Sequence, residues 1–284
     1  MSSISKIKTI LRLMRYALKG GEHDYTSGSI NRAIFLLAVP MIAEMIMESL
    51  FAVVDVFFVS KVSVNAVATV GLTESVLFII YSIAVGFSMA VTAFVARRVG
   101  EKNFKRAGDA AFQAIFLAVS VSVVLGILGF VYAEDVLRLM GGEEALITEG
   151  AGYAQIMYAG NMSIILLFLI NAIFRGAGDP SIAMRSLWIA NGLNIILDPL
   201  LIFGIGFFPE MGVVGAAVAT TIGRSIGVIY QLYHLLNGSS VVRITAENIV
   251  LRIKTIKEMI KVSAGGISQF LIESASWIFL VRVI

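Results

Sequence analysis

The amino-acid sequence predicts an all-α, polytopic membrane protein, a helix bundle made of a six-helix lobe plus a seventh span. The first observation is composition: the 284 residues are 58% hydrophobic and 14% charged, whereas soluble domains carry about 25% charged residues. The mean hydropathy of +0.90 agrees with this. The second is a series of apolar segments, each reaching the roughly 20 residues that a bilayer-spanning helix needs. The third is a strongly asymmetric distribution of basic residues between the segment ends, which is typical of membrane proteins.

Residues 1–28 form a basic tail ahead of the first apolar segment. Its basic residues alternate with apolar ones at spacings of three and four, and they are Lys6, Lys8, Arg12, Arg15 and Lys19. This pattern predicts an amphipathic helix lying on an anionic membrane surface. The tail lacks the apolar stretch of about 7 to 15 residues that marks a secretory signal. We therefore expect the tail to remain on the cytoplasmic side.

Seven predicted spans set the domain organisation. They lie near residues 31–60, 68–96, 107–133, 151–174, 184–206, 212–236 and 260–284. If successive connections lie on alternate sides of the membrane, 18 of the 22 Lys and Arg residues fall on the side of the N-terminus. The positive-inside rule therefore predicts a cytoplasmic N-terminus. The domain boundaries that follow are a tail over 1–28, a six-helix lobe over 29–238, a cytoplasmic connector over 239–259, and a first helix of another lobe over 260–284.

Two connections have a distinct character. Residues 134–149 are acidic and contain a glycine pair, so we expect an outward-facing loop with a turn. Residues 243–258 are basic, and isoleucines recur there at near-helical spacing. Part of this cytoplasmic connector is therefore predicted to lie on the membrane surface, and its position after six spans is typical of a hinge between two halves.

The first span carries three acids inside an apolar run. Glu44, Glu48 and Asp55 fall within about 40° of one another around a helix. Each ionisable group at membrane depth costs at least about 2.5 to 3.5 kcal/mol, so such groups tend to face a protein interior or a water-filled cavity. We therefore predict a polar interior path along this face. The alternative is a core helix whose acids pair with basic residues elsewhere.

The fifth span contains a second polar group within NGLNIILDPL, residues 191–200. Asn191, Asn194 and Asp198 lie within about 60° of one another on a helix, and Pro199 weakens the local backbone ladder. One hypothesis is that these side chains contribute to a cation site. The other is that Asn194 and Asp198 satisfy each other beside a kink.

Three oxygen-bearing side chains are predicted to share one depth in the membrane. A rise of 1.5 Å per residue places Asp55, Asp198 and Thr220 roughly 8 to 12 Å below the outer surface. Two carboxylates with an amide and a hydroxyl oxygen suit a hard cation, and Na⁺ or a proton would relieve the repulsion between the acids. Arg224, one turn after Thr220, offers an opposing interpretation, because it could itself neutralise an aspartate.

A weak internal repeat supports a second lobe. The segment PMIAEMIMES at 40–49 aligns with GGISQFLIES at 265–274, an offset of 225 residues. The alignment brings Glu48 onto Glu273. We therefore expect a second copy of the lobe to begin near residue 260, with Glu273 as a partner of the first-span acids; the alternative is a lone polar residue in an ordinary helix.

Several function classes lack support. The chain has no cysteine and two histidines, and neither histidine has a second one at the spacing of a metal site. Nucleophile, zinc-protease and P-loop motifs are not found. The basic cluster at 96–106 has little aromatic interleaving, so we expect no nucleic-acid partner. We expect no enzymatic activity and no bound cofactor, apart from the Na⁺ or H⁺ of the candidate cation site.

Taken together, several motifs resemble the multidrug and toxic compound extrusion (MATE) family. They are Pro40 followed fifteen residues later by Asp55, FRGAGDP at 174–180, NIILDP at 194–199, and GVVGAAVATTIG at 212–223. They occur in order over nearly all of residues 30–284. The resemblance implies twelve spans in two lobes, of which this chain would be a truncated form, in the cell inner membrane. It also implies cation-coupled, alternating-access export of small organic cations.

The resemblance assigns roles to particular residues. The cation-coupling set is implied to be Asp55, Asn194, Asp198, Thr220 and the backbone carbonyl of Ala216, with Na⁺ as a possible ligand of the four side chains. The substrate cavity is expected to include Glu44, Glu48, Met47, Asn191 and Glu273. Glu44 and Glu48 depart from the usual family pattern, and extra buried acids favour cationic substrates. Two rival hypotheses are a flippase for a lipid-linked sugar and a non-transporting membrane scaffold.

Overall fold

The computed structural model describes residues 3–21, 25, 28–238 and 240–283, with side chains described at 8–21, 25, 28–238 and 240–272. The described part consists of helices joined by turns and loops. Its helices are α1 (Ser3–Lys19), α2 (Ile30–Val59), α3 (Val64–Gly100), α4 (Phe104–Val131), α5 (Ala133–Leu139), α6 (Glu144–Ala159), α7 (Asn161–Ala177), α8 (Pro180–Ile202), α9 (Val213–Asn237) and α10 (Ile253–Val283), with a 3₁₀ turn at Ala246–Asn248.

The predicted all-α membrane bundle is confirmed. Within the described residues, five helical stretches are long and apolar enough to cross a membrane: α2, α3, α4, α6 with α7, and α9. Helix α8 coincides with the fifth predicted span and α10 with the seventh, and the side chains of α10 are described only up to residue 272. Every predicted span therefore lies on a helix, and the chain forms a multi-pass membrane protein.

Helix α7 is the centre of the bundle. The apolar window of the α6–α7 stretch is 72% buried, whereas that of α2 is 17% buried. Fully enclosed side chains on α7 include Ile165, Leu169, Ile170 and Phe174. A helix that is hydrophobic all round is expected either in a core or against lipid. Both helices are strongly apolar, but α7 contacts protein on most sides, whereas α2 lies at the periphery of the bundle.

A break at Gly160 divides the fourth predicted span in two. Asn161 stabilises this break, since its Nδ2 donates to the carbonyl oxygens of Tyr158 and Ser122 at 2.6 and 3.1 Å. The prediction of an outward loop over 134–149 is wrong in part, because α5 and the start of α6 occupy most of it. The predicted glycine turn is present between them, where Gly141 has φ +91°.

The connector between α9 and α10 is docked on α4 instead of forming the predicted surface helix. Asn248 donates to the carbonyl of Lys105 and to Asp109 Oδ1, at 3.0 and 2.9 Å. Arg252 pairs with Asp109 Oδ2 at 2.9 Å. Ile244 and Ile249 therefore lie outside any helix, and α10 begins at Ile253, before the predicted start at 260. The isoleucine spacing predicted a helix here. Polar contacts to α4 instead satisfy this segment, without the hydrogen bonds of a helix.

Helix α1 packs against the N-terminal ends of α2 and α8. Ala17 is 4% exposed, and the carbonyl of Lys19 accepts a hydrogen bond from Arg185 at 3.5 Å. Gly20, at φ +71°, lies so close to Ser181 that a Cβ there would be 1.8 Å from the serine hydroxyl. The chain thus turns sharply after α1 at a position that only glycine fits.

Candidate cation site and central cavity

Asn194 organises a buried polar cluster between α8 and α9. Its Nδ2 donates to Asp198 Oδ1 at 3.2 Å on the same helix and to Thr220 Oγ1 at 2.9 Å on α9. The first contact follows from the i, i+4 spacing, which places both side chains on one face. All three residues are buried: Asn194 is 2% exposed, Asp198 0% and Thr220 6%. Three of the predicted cation-site residues therefore lie together.

Small residues bring α8 and α9 close enough for this contact. A Cβ at Gly223 would lie 2.5 Å from the carbonyl oxygen of Ala190 and 3.5 Å from Cβ of Asn194. At Gly215 the same addition would meet Leu201 at 2.6 Å. Small residues at such interfaces let membrane helices approach closely. The glycines of the motif at 212–223 thus set the distance between Asn194 and Thr220.

Asp55 reaches this cluster from α2. Its carboxyl group lies within hydrogen-bonding reach of the Asp198 carboxyl group. Two carboxylates at such a distance repel unless a proton or a metal cation lies between them. They therefore titrate as a coupled pair and not as two independent acids.

Two buried oxygens at this point have no hydrogen-bond partner. They are Oδ1 of Asn194 and Oδ2 of Asp198. Ala216 lies one turn before Thr220 on α9 and is 1% exposed. In the described part of the chain, no three His, Cys, Asp or Glu side chains are placed so that together they could hold a metal ion. The donor set is consequently two carboxylates with neutral oxygens, which fits a hard cation or a proton better than zinc.

A cavity of about 680 Å³ opens beside the acid pair. Its size lies in the range of small-molecule sites. Its polar lining comprises Glu48, Asp55, Glu74, Tyr81, Thr220 and Arg224, and its aromatic lining comprises Phe51, Phe78, Tyr153, Phe168 and Phe270. Among the described residues, three carboxylates therefore face one guanidinium in a mostly apolar chamber.

Arg224 holds the positive charge of this chamber. Its Nη1 donates to the Tyr81 hydroxyl at 2.9 Å, and its guanidinium carbon lies 5.8 and 5.7 Å from the ring centroids of Phe51 and Tyr81. The described carboxylates interact with it at longer range, and none forms a contact ion pair with it. Direct neutralisation of an aspartate by Arg224, which the sequence left open, does not occur in this conformation.

The expected substrate residues divide between two places. Glu48 lines the cavity and accepts a hydrogen bond from Asn191 Nδ2 at 2.9 Å. Glu44 does not line the cavity: it is 4% exposed and forms a partly buried ion pair with Arg175 of α7. Met47 is half-buried and also lies outside the cavity lining. The fourth predicted span ends at residue 174, whereas Arg175 lies in the last turn of α7, within reach of α2.

Sequence reasoning missed Glu74 and Tyr81 on α3. A signal was present, because Glu74 is an isolated acid in an apolar run and Tyr81 follows it by two helical turns, on nearly the same face. Glu273 lies on α10, but its side chain falls outside the described residues. Its expected role beside the first-span acids therefore stays a prediction.

This architecture defines a class: a multi-pass helical membrane protein that encloses a charged cavity beside a buried acid pair. A family model described as MatE matches residues 40–200. That match covers more than half of the chain. The chain therefore belongs to the MatE family, as its motifs predicted.

Similar proteins extend this result. The probable multidrug resistance protein NorM of Thermotoga maritima is 33% identical over 70% of this chain and 43% of its own length. The FAD transporter of Shewanella oneidensis is 30% identical over 75% of this chain and 47% of its own. A MOP superfamily transporter structure from Pyrococcus furiosus, whose binding pocket is described as having reverse polarity, superposes with a TM-score of 0.83 and 28% identity. That superposition covers 91% of this chain and 56% of the solved one.

These relatives are named as transport or resistance proteins and not as enzymes. The chain spans about half the length of the curated relatives it matches. The described helices therefore correspond to somewhat more than one half of the solved transporter.

Proposed function

We propose that this chain forms the N-terminal lobe of a cation-coupled antiporter that exports organic cations by alternating access, using Na⁺ or H⁺. One observation carries the proposal: the carboxyl group of Asp55 on α2 lies within hydrogen-bonding reach of that of Asp198 on α8. Oδ2 of Asp198 and the neighbouring Oδ1 of Asn194 are buried and receive no hydrogen bond. Such a pair binds a cation or a proton more strongly when the two helices are close than when they are apart.

The coupling step follows from the position of α2. A cation that enters from outside neutralises Asp55 and Asp198, with Asn194 and Thr220 orienting the site. The same helix supplies Glu48 and Phe51 to the cavity wall, so a movement of α2 changes the cavity. A ligand shifts such an equilibrium only through different affinities for the two states. The acid pair supplies that difference for the ion, and the cavity supplies it for the substrate.

The cavity charge favours cationic substrates. Three carboxylates line it against one guanidinium among the described residues, and the surrounding aromatic rings attract cations through their faces. The NorM relative is named for multidrug resistance, which agrees with a broad apolar chamber. We further propose that a second lobe completes the cavity, and that the protein lies in the inner membrane with its basic N-terminus cytoplasmic.

Efflux of a dye cation tests the proposal in the full-length transporter reconstituted in liposomes. Asp55→Asn is expected to reduce efflux driven by an imposed Na⁺ or H⁺ gradient by about a hundredfold, since the coupling charge is lost. Asp135→Asn, at an exposed acid of α5, is the matched control and should leave efflux unchanged. Undiminished, gradient-driven efflux by Asp55→Asn would disprove coupling through this pair.

A further inference from the structure

Arg224 has no part in the coupling step proposed above, yet it carries the positive charge among the described residues that line the cavity. It is 7% exposed and lies one turn after Thr220 on α9. Its guanidinium sits between the rings of Phe51 on α2 and Tyr81 on α3, at 5.8 and 5.7 Å. One hydrogen bond of 2.9 Å joins it to the Tyr81 hydroxyl. The side chain thus crosses the cavity from one helix to two others.

The contacts that hold Arg224 are those that proteins use for organic cations. A buried charge is normally stabilised by a close ion pair, but the described carboxylates act on this guanidinium only at longer range. Two aromatic faces and the surrounding acids supply the stabilisation instead. Cation–π contacts of this kind, strongest when water is excluded, also recognise quaternary ammonium ligands.

We propose that Phe51, Tyr81, Glu48 and Glu74 form an organic-cation subsite that the chain fills with its own Arg224 until a cationic substrate displaces it. The inference rests on the proposed function for its substrate class. Arg224 is then a tethered competitor: it satisfies the aromatic bracket and the two acids in the empty transporter. An incoming cation takes over the same rings and charges, and the guanidinium moves aside on its flexible stem.

The displaced guanidinium connects the subsite to the coupling ion. Asp55 lines the same cavity and already interacts electrostatically with Arg224. When a substrate occupies the bracket, Arg224 moves toward Asp55 and competes there with the coupling cation. Binding of substrate and of ion therefore oppose each other, and the effect must be reciprocal. Opposed binding of this kind is what an exchange of the two requires.

Equilibrium binding of tetraphenylphosphonium to the purified chain in nanodiscs tests the inference. This probe carries one positive charge and no hydrogen-bond donor, so it reports on the aromatic bracket and the acids. Arg224→Met removes the competitor while keeping an apolar side chain of similar length. We expect about tenfold tighter binding, the scale of one displaced cation–π contact. Arg138→Met, at an exposed arginine of α5, is the control and should leave the affinity unchanged.

Two further variants sharpen the result. Arg224→Lys keeps the charge but loses the planar, weakly hydrated guanidinium, so its affinity for the probe should lie between those of the native chain and Arg224→Met. Arg224→Ala leaves room for free guanidinium ion, which should compete with the probe in this variant and not in the native chain. Far-ultraviolet circular dichroism and thermal unfolding check that each variant is folded.

Specific outcomes overturn the inference. One is a folded Arg224→Met or Arg224→Lys that binds the probe no more tightly than the native chain. Another is binding of inorganic pyrophosphate that requires Arg224, which would make this residue an anion subsite, a chemistry suggested by the relative named as an FAD transporter.

The binding test is separable from the transport test. It is made at equilibrium and without an ion gradient, so it does not depend on coupling through Asp55. If Asp55→Asn abolishes efflux while Arg224→Met leaves binding unchanged, the displaced-arginine inference fails and the proposed function stands. If Asp55→Asn leaves gradient-driven efflux undiminished while Arg224→Met tightens binding, coupling at Asp55 is disproved and the subsite stands.

Discussion

Two acids on α2 illustrate opposite uses of a buried carboxylate. Glu44 and Asp55 lie on one side of the same helix, about three turns apart. Glu44 meets the guanidinium of Arg175, whereas Asp55 meets the carboxyl group of Asp198. The first pair is neutral as it stands. The second carries excess negative charge and has no basic side chain in contact with it among the described residues, so a proton or a bound cation can balance it.

The difference separates a structural contact from a ligand site. Both places keep one buried carboxylate oxygen without a hydrogen-bond partner, Oε1 of Glu44 and Oδ2 of Asp198. At Glu44 the charge is nevertheless matched by its neighbour. At Asp198 it is not, and Asn194 adds a further unpaired oxygen. Depth in the membrane alone therefore does not identify a coupling residue; the sign of the neighbouring charge does.

The largest effect is expected from removing the acid pair. Asp198→Asn should abolish the stabilisation of the folded chain by a coupling ion. That stabilisation is about 2.7 kcal/mol when the ion is present at roughly a hundred times its dissociation constant. Thermal unfolding with and without Na⁺, and across pH, measures it. Trp188 provides a second readout, because its Nε1 donates to the Ala43 carbonyl at 3.1 Å and joins α8 to α2.

An unaltered ion dependence in Asp198→Asn would place the coupling ion elsewhere. Asp135→Asn again serves as the control.

Breaking the acid–base pair should lower stability without changing ion dependence. Glu44→Gln leaves the Arg175 guanidinium without its counter-charge. Because 31% of that side chain remains exposed, we expect a loss of about 2 kcal/mol, below the 3 to 5 kcal/mol of a fully buried pair. Chemical denaturation in detergent measures the loss. The double variant Glu44→Gln with Arg175→Met should recover part of this loss. If Glu44→Gln alone also lost the ion dependence, Glu44 would belong to the ion site together with Asp55.

A smaller effect should follow from separating α8 and α9. Gly223→Ala places a methyl group 2.5 Å from the Ala190 carbonyl oxygen, so the helices must shift apart. We expect about 1 kcal/mol of destabilisation and weaker ion binding, since Thr220 moves away from Asn194. Gly192→Ala, where a Cβ meets open space, is the matched control. The Glu44–Arg175 contact should survive in both variants, so adding Glu44→Gln should cost each of them, in the absence of ions, the same stability that it costs the native chain.

The smallest effect is expected at an exposed ion pair between α4 and the connector that precedes α10. The ammonium group of Lys105 donates to Glu247 Oε2 at 2.7 Å and holds the pKa of Glu247 below its ordinary value of 4.5. Because the pKa of Glu247 is lowered in the folded state, the ion pair stabilises the fold at pH values above the ordinary pKa of 4.5. This stabilisation is lost as the pH falls through the folded-state pKa. Glu247→Gln should therefore shift the melting temperature only slightly at neutral pH, and less still in high salt. A large shift would mean that the connector contributes more than its exposed charges suggest.

Much of the helix plan was predictable from the sequence. Runs of apolar residues placed each span to within several residues, and the spacing of Asn194 and Asp198 predicted their contact, since i, i+4 positions are neighbours on any helix. The errors fell where polar groups had tertiary partners. Asn248 satisfies the connector against α4 without a helix, and Asn161 stabilises a break that interrupts a continuous apolar run.

By itself, the sequence determined that this protein is a helical membrane bundle of the MatE family, with several acids at membrane depth. Only the tertiary structure decided what those acids face: Arg175 for Glu44, Asn191 for Glu48, and Asp198 for Asp55. It also revealed that Glu74 and Arg224 share one cavity. The physical reason is that lipid and protein core are equally apolar, so the pattern along a membrane helix does not tell which side faces its neighbours. Close packing, set by glycines such as Gly223, makes that choice.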